Sequence, residues 1–120
     1  MTTKYVTIDE RNWFSAGVRG IEMKGATLWN EGFDLSTRVF RMPAGMEIPV
    51  HRHDVWLQVA VLSGRMKVRD EATNEDRIVD AGGVYFIQPG TSHAETAVVE
   101  TEVLVTKQEP DPADAANRLK

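Results

Sequence analysis

The chain has three histidines, and their spacing is its first sign of chemistry. His51 and His53 lie one residue apart in "PVHRH", and His93 closes the distant stretch "QPGTSH". On a β-strand, side chains alternate faces, so His51 and His53 point the same way, roughly 6–7 Å apart along the strand. That spacing suits chelation of one metal ion by two imidazoles. Pro49 stiffens the approach, and Gly45 allows a sharp turn into it. Two ligands do not make a site. His93 follows a Pro-Gly turn and opens another strand, which makes it the candidate third ligand. A single histidine is more often a surface or hydrogen-bonded residue, so the weight rests on the set. Imidazole donors admit Fe, Ni, Cu, Zn and Mn, so the expected cofactor is one divalent transition metal.

Other residues stand near this chemistry. Glu95 comes two positions after His93 and shares its face on an unbroken strand. A carboxylate there could be a fourth ligand, an acceptor that orients an imidazole, or a general base. Arg38 shares a strand face with Phe40 and Met42 and could pair with a substrate carboxylate. Glu47 has the parity of His51 but reads as surface beside a turn. Trp29 and Trp56 could each wall a pocket or pack outside. Tyr85, Phe86 and Ile87 read as a strand buried on both faces. Ser92 reads as turn chemistry. No acid–histidine–serine arrangement stands out, and no Gly-rich phosphate loop follows a strand.

The elements that must position these groups are short strands. Runs rich in Val, Ile, Thr and aromatics recur at "YVTI", "VRGIEM", "ATLW", "LSTRVFRM", "VWLQVAVL", "RMKVR", "RIV", "VYFI", "AETAVV" and "EVLVT". Turn residues separate them, among them Gly25, Pro43 to Gly45, Gly64, Gly82 with Gly83, and Pro89 with Gly90. Many short strands at regular spacing predict an all-β sandwich or barrel. "DERNWF" reads as one helical turn capped by Asp9. Residues 1–110 read as a single domain. Residues 111–120, "DPADAANRLK", read as a short helix capped by Asp111 or as a frayed tail.

Bulk composition narrows the function classes. The 120 residues can bury a real core without staples. No apolar run approaches the roughly 18 residues of a membrane span. The first residues lack the apolar core of a signal peptide. The chain has no cysteine, hence no disulfide and no thiolate metal site, which fits a cytoplasmic protein. A net charge of −4 gives no electrostatic reason to expect nucleic acid or an anionic membrane. The expected partner is a small-molecule substrate.

The two histidine stretches together resemble the two motifs of the cupin superfamily. The first family motif runs G-x5-H-x-H-x3–4-E-x6-G, and Gly45, His51, His53 and Gly64 match it over 45–64. The second runs G-x5-P-x-G-x2-H-x3-N, and Gly82, Gly90 and His93 match it over 82–97. The resemblance spans Arg38 to Thr106. It implies a double-stranded β-helix, or jelly-roll barrel, with a metal near its axis. It also implies edge strands before Leu35 through which such domains often pair, hence a homodimer.

This chain departs from the pattern in instructive places. The acid of the first motif is absent. Its slot falls on Leu57 or, with the longer spacer, on Gln58. If Leu57 points inward, Val59 and Val61 do too, forming an apolar wall, and this is the preferred reading. If a bulge intervenes, Gln58 turns inward and its amide oxygen becomes a metal ligand. Gln88 replaces the second motif's proline, Ala97 its terminal Asn, and Gly83 the acid that commonly follows the motif glycine. A neutral three-imidazole set leaves the full charge on the ion and favours anionic, bidentate oxygen ligands. The set resembles that of cupin dioxygenases using three histidines on iron(II), which cleave β-diketones or activated ketones. That resemblance makes iron the favoured metal and a dioxygenase the favoured function. The alternatives are a non-redox isomerase, lyase or cyclase using the same site, and a non-catalytic ligand-binding cupin.

Overall fold

The computed structural model describes residues 3–18, 21–29 and 34–110. A 3-10 turn, Ile8–Glu10, precedes β1 Phe14–Val18, β2 Ile21–Trp29, β3 Leu35–Met42, β4 Glu47–His51 and β5 Leu57–Ser63. Then come β6 Arg65–Asp70, β7 Glu75–Asp80, β8 Val84–Ile87, β9 His93–Ala97 and β10 Thr101–Gln108. One sheet has six strands in the order β1-β2-β3-β10-β5-β8, and the other has four in the order β4-β9-β6-β7. Every described pairing is antiparallel. Two such sheets with non-sequential neighbours are a jelly roll, the all-β class expected from the strand spacing. No helix among the described residues is long and apolar enough to cross a membrane.

The core lies between the sheets, and strand alternation puts it there. Along β5, Leu57, Val59 and Val61 are buried while Gln58 and Leu62 are exposed. Val59 and Val61 pair with Val105 and Val103 of β10, so β-branched side chains meet on one inner face. Met23, Met42 and Ile87 join them from the larger sheet, and Ile48, Met66 and Ala97 close over them from the smaller one. Each fully buried side chain of this size contributes about 1.5–3 kcal/mol.

The fold departs from the strand reading at identifiable points. "YVTI" is not a strand, and Tyr5 and Ile8 in it are both exposed. The helical turn beside it is capped by Thr7 rather than Asp9; the Glu10 carboxylate accepts the Thr7 N–H at 3.0 Å. Val18 of "VRGIEM" ends β1, and Ile21 to Met23 join "ATLW" in β2, because Gly25 does not interrupt pairing and sits between Phe14 and Phe40 in neighbouring strands. β8 is not buried on both faces. It is the edge of the six-stranded sheet, and Phe86, opposite Gln58, is exposed. Phe86 stacks on Trp56 with ring centroids 5.8 Å apart, so Trp56 packs outside. The helix or tail expected over 111–120 lies outside the described residues.

Candidate metal centre

β4 and β9 build the site between them. On β9, His93, Glu95 and Ala97 share one face, opposite Asp70, Val68 and Met66 of β6, and that face is the interior. On β4, Ile48 pairs with Glu95 and His51 with His93. Pro49 and Val50 of β4 thus oppose Ala94 alone on β9, which is a bulge. Regular alternation would put His51 on the face opposite Ile48; the bulge turns it inward. Proline lacks the N–H that a regular ladder would need and is at home there. The same bulge cancels the parity between Glu47 and His51. Glu47 is exposed on the outer face, beside Lys67, Arg69 and Asp76.

His53 reaches the site differently from the strand-based expectation. β4 ends at His51, so His53 is not two positions along the same strand. Its carbonyl accepts the Gly90 N–H at 2.8 Å, which ties the segment after β4 to the Pro-Gly turn before β9. His53 and His93 are both buried, and the His51 side chain is 7% exposed. The ring centroids are 4.2 Å apart for His51 and His93, 5.1 Å for His51 and His53, and 5.8 Å for His53 and His93. One donor nitrogen from each of His51, His53 and His93 lies within 4.8 Å of the others.

The backbone fixes which nitrogens face inward. His51 Nδ1 is 2.7 Å from the Pro49 carbonyl, and His93 Nδ1 is 3.2 Å from the Thr91 carbonyl. A carbonyl only accepts, so Nδ1 of each ring carries a proton, and in the neutral ring the lone pair is on Nε2. His93 Nε2 is fully buried with no hydrogen-bond partner among the described residues. The nearest carboxylate oxygen, Glu95 Oε1, is 3.3 Å away but outside hydrogen-bonding geometry. A buried lone pair without a donor costs about 1–3 kcal/mol, and a cation shared with the other two rings would satisfy it. Burial, with the neighbouring His93 and His53 rings, lowers the His51 pKa to about 4, against the Pro49 carbonyl and Glu95, which raise it. His51 is therefore neutral, as a ligand must be, at ordinary pH.

Glu95 lies beside these rings, 8% exposed. Its Oε1 is 3.9 Å from His51 Nε2, and its Oε2 accepts the Tyr85 hydroxyl of β8. Burial alone would raise its pKa, but attraction to His93 and His51 when those rings are protonated, with the Tyr85 hydroxyl, holds it below the usual carboxylate range. Burial and the adjacent Glu95 charge push the Tyr85 phenol well up. Tyr85 is the residue the sequence reading passed over. Its signal was parity: Tyr85 and Ile87 alternate with exposed Val84 and Phe86.

Two further expected site residues make other contacts. Gln58 is exposed on β5, between Thr106 and Phe86 of the flanking strands, so it supplies no ligand. β5 does carry a bulge, but at Leu62, too far along to turn Gln58 inward. Leu57 is the inward residue, as parity preferred. Arg38 pairs with Glu109 at 3.6 Å, and Glu109 also accepts the Ser36 hydroxyl at 2.8 Å. Its charge thus has a partner within the protein.

Known proteins place this architecture. The profile of the ChrR Cupin-like domain family matches residues 1–111. Among solved structures, the conserved SPY1581 protein of unknown function from Streptococcus pyogenes is 28% identical over 73% of this chain and 75% of its own, with a TM-score of 0.64. KdgF from Halomonas sp. is 17% identical, covering 89% and 95%, with a TM-score of 0.76. A Thermotoga maritima protein named a predicted oxalate decarboxylase is 21% identical, covering 88% and 98%, also at 0.76. The last two likenesses are to the fold alone. No curated protein matches the chain.

Proposed function

The chain belongs to the family of ChrR cupin-like domains, and from that membership and its three convergent imidazoles we propose that it is a metal-dependent enzyme acting on a small oxygen-chelating molecule. The observation that carries this reading is the buried His93 Nε2, which has no hydrogen-bond partner among the described residues and faces donor nitrogens of His51 and His53. The donor set fits a divalent transition metal: three imidazoles, with the Nδ1 protons of His51 and His93 committed to backbone carbonyls.

Within that reading the favoured activity is that of an iron(II) dioxygenase on a β-diketone, activated ketone or phenolic. Bound iron would supply Lewis acidity toward a chelating enolate or catecholate and a partner for oxygen. The rest falls to the chain. β4 and β9 hold two rings at fixed register, and the Gly90–His53 hydrogen bond holds the third. Leu57, Val59 and Val61 give the interior an apolar wall that excludes water and packs the substrate's carbon skeleton.

Elemental analysis of protein purified without chelators or a histidine tag tests the metal. Oxygen uptake on adding a β-diketone or catechol to iron-loaded protein tests the activity. Unchanged anaerobic turnover with zinc or manganese would replace the dioxygenase with an isomerase, lyase or cyclase. Tight ligand binding without turnover would leave a binding protein.

A further inference from the structure

The position where related motifs carry an acid holds Leu57, yet a carboxylate reaches the imidazoles from another strand. Glu95 shares the interior face of β9 with His93. Its two oxygens do different things. Oε2 accepts the Tyr85 hydroxyl, which fixes the carboxylate from the β8 side. Oε1 lies 3.3 Å from His93 Nε2 and 3.9 Å from His51 Nε2. Ligand atoms about 2.1 Å from one ion stand roughly 3.0 Å apart at adjacent octahedral corners and roughly 3.4 Å apart in a tetrahedron. The Glu95 oxygen therefore stands at a neighbouring ligand's separation from His93 Nε2 and about 0.5 Å beyond it from His51 Nε2.

We propose that Glu95 Oε1 is a fourth protein ligand to the ion held by His51, His53 and His93, and that Tyr85 is the positioning residue that aims it. The inference rests on the metal-site reading above and deepens it. It restores from β9 the acid that β5 lacks. It also lowers the charge of the centre by one and leaves two positions of a six-coordinate ion open, the number a bidentate oxygen chelate needs.

The test uses zinc(II) as probe, in a crystal structure of the loaded wild type and in chelator-competition titrations of wild type, Glu95→Gln, Tyr85→Phe and the double variant. The expected structure has Glu95 Oε1 about 2.0–2.2 Å from the ion. Glu95→Gln is expected to weaken zinc binding more than about 100-fold, beyond the 10–100-fold typical of groups that only support a ligand. Tyr85→Phe should weaken it about 10–100-fold and have no further effect in the Glu95→Gln background. A role confined to stability would move the metal-free melting temperature and leave that dependence on Glu95 absent. An oxygen more than about 3 Å from the ion, or a smaller loss in Glu95→Gln, overturns the proposal. If Glu95→Gln fails to fold, the wild-type crystal decides. Wild type that binds no zinc defeats the metal site itself, whereas equal binding by wild type and Glu95→Gln defeats only the fourth ligand.

Discussion

His51 and His93 stand directly opposite each other across the β4–β9 ladder, their ring centroids 4.2 Å apart and their planes tilted by 57°. The two rings gain little from that approach, and it buries a nitrogen of His93 without a hydrogen-bond partner among the described residues. The arrangement makes physical sense when a cation accepts both lone pairs. Local conflict of this kind is tolerated where a site is built.

Removing any one ring should therefore empty the centre. His51→Ala, His53→Ala and His93→Ala are each expected to purify with little metal by elemental analysis and to lose the rise in melting temperature that excess zinc gives the wild type, which follows mass action. A variant that keeps a full complement of metal would remove its histidine from the ligand set.

The metal-free protein should lose stability in mild acid through His51. Its folded pKa is about 4, lowered by burial and the adjacent rings, against 6.5 for the free side chain. Between those values the unfolded chain takes up the extra proton, so stability rises with pH across that window and falls as pH drops toward 4. The full difference is roughly 3 kcal/mol. Urea unfolding at pH 7 and pH 4 measures it, with His51→Gln as the reference that lacks this titration. Identical pH dependence in the two proteins would exclude the effect.

Leu57 and Gln58 should behave oppositely when shortened. Leu57 is buried in the core, so Leu57→Ala should cost about 2–5 kcal/mol. Gln58 is exposed on the outer face, so Gln58→Ala should stay within about 0.5 kcal/mol and leave metal content unchanged. Loss of metal in Gln58→Ala would mean that the strand turns.

These neighbours also show how far the sequence could be read. β3 and β8 appear in the chain with their observed ends, because period-two alternation and turn residues are local signals. Alternation likewise chose Leu57 over Gln58. The bulge at Pro49 and Val50 was not legible, since it is defined by register against β9 rather than by residues of β4. Parity therefore failed for Glu47, and His53 reached the cluster from outside the strand. The Arg38 ion pair was illegible for a similar reason: its partner Glu109 lies at the far end of the chain. Tyr85 was missed because its role depends on a single contact with β9.

Two glycines of the histidine motifs should differ in what they tolerate. Gly64 has φ +90°, and a Cβ there would lie 2.4 Å from the Glu100 carbonyl and 2.6 Å from Thr101 Oγ1. That hydroxyl is held by backbone groups of Arg65 and Val99, so it cannot retreat cheaply. Gly45 has φ +81° but open space around it. Gly45→Ala should cost about 1–2 kcal/mol from backbone conformation alone. Gly64→Ala should cost more, because the clash adds to the same strain. Urea unfolding of both variants checks the order, and equal losses would contradict the close approach at Gly64.

Glu102 should govern how firmly the N-terminal segment lies on the barrel. Its carboxylate pairs with Arg11 through Oε1 and with Arg41 through Oε2, the latter at 3.2 Å. Both guanidinium groups flank the Trp13 ring, 5.7 Å and 4.6 Å from its centroid. Arg11 and Glu102 are largely buried, so removing the acid strands a cation in a partly dry place. Glu102→Ala should cost about 2 kcal/mol and speed tryptic cleavage after Arg11. Zinc affinity should not change, because the segment packs on the outer face of β3 and β10 while the imidazoles face the interior. Unaltered proteolysis with a normal melting temperature would show that the segment is held by other contacts.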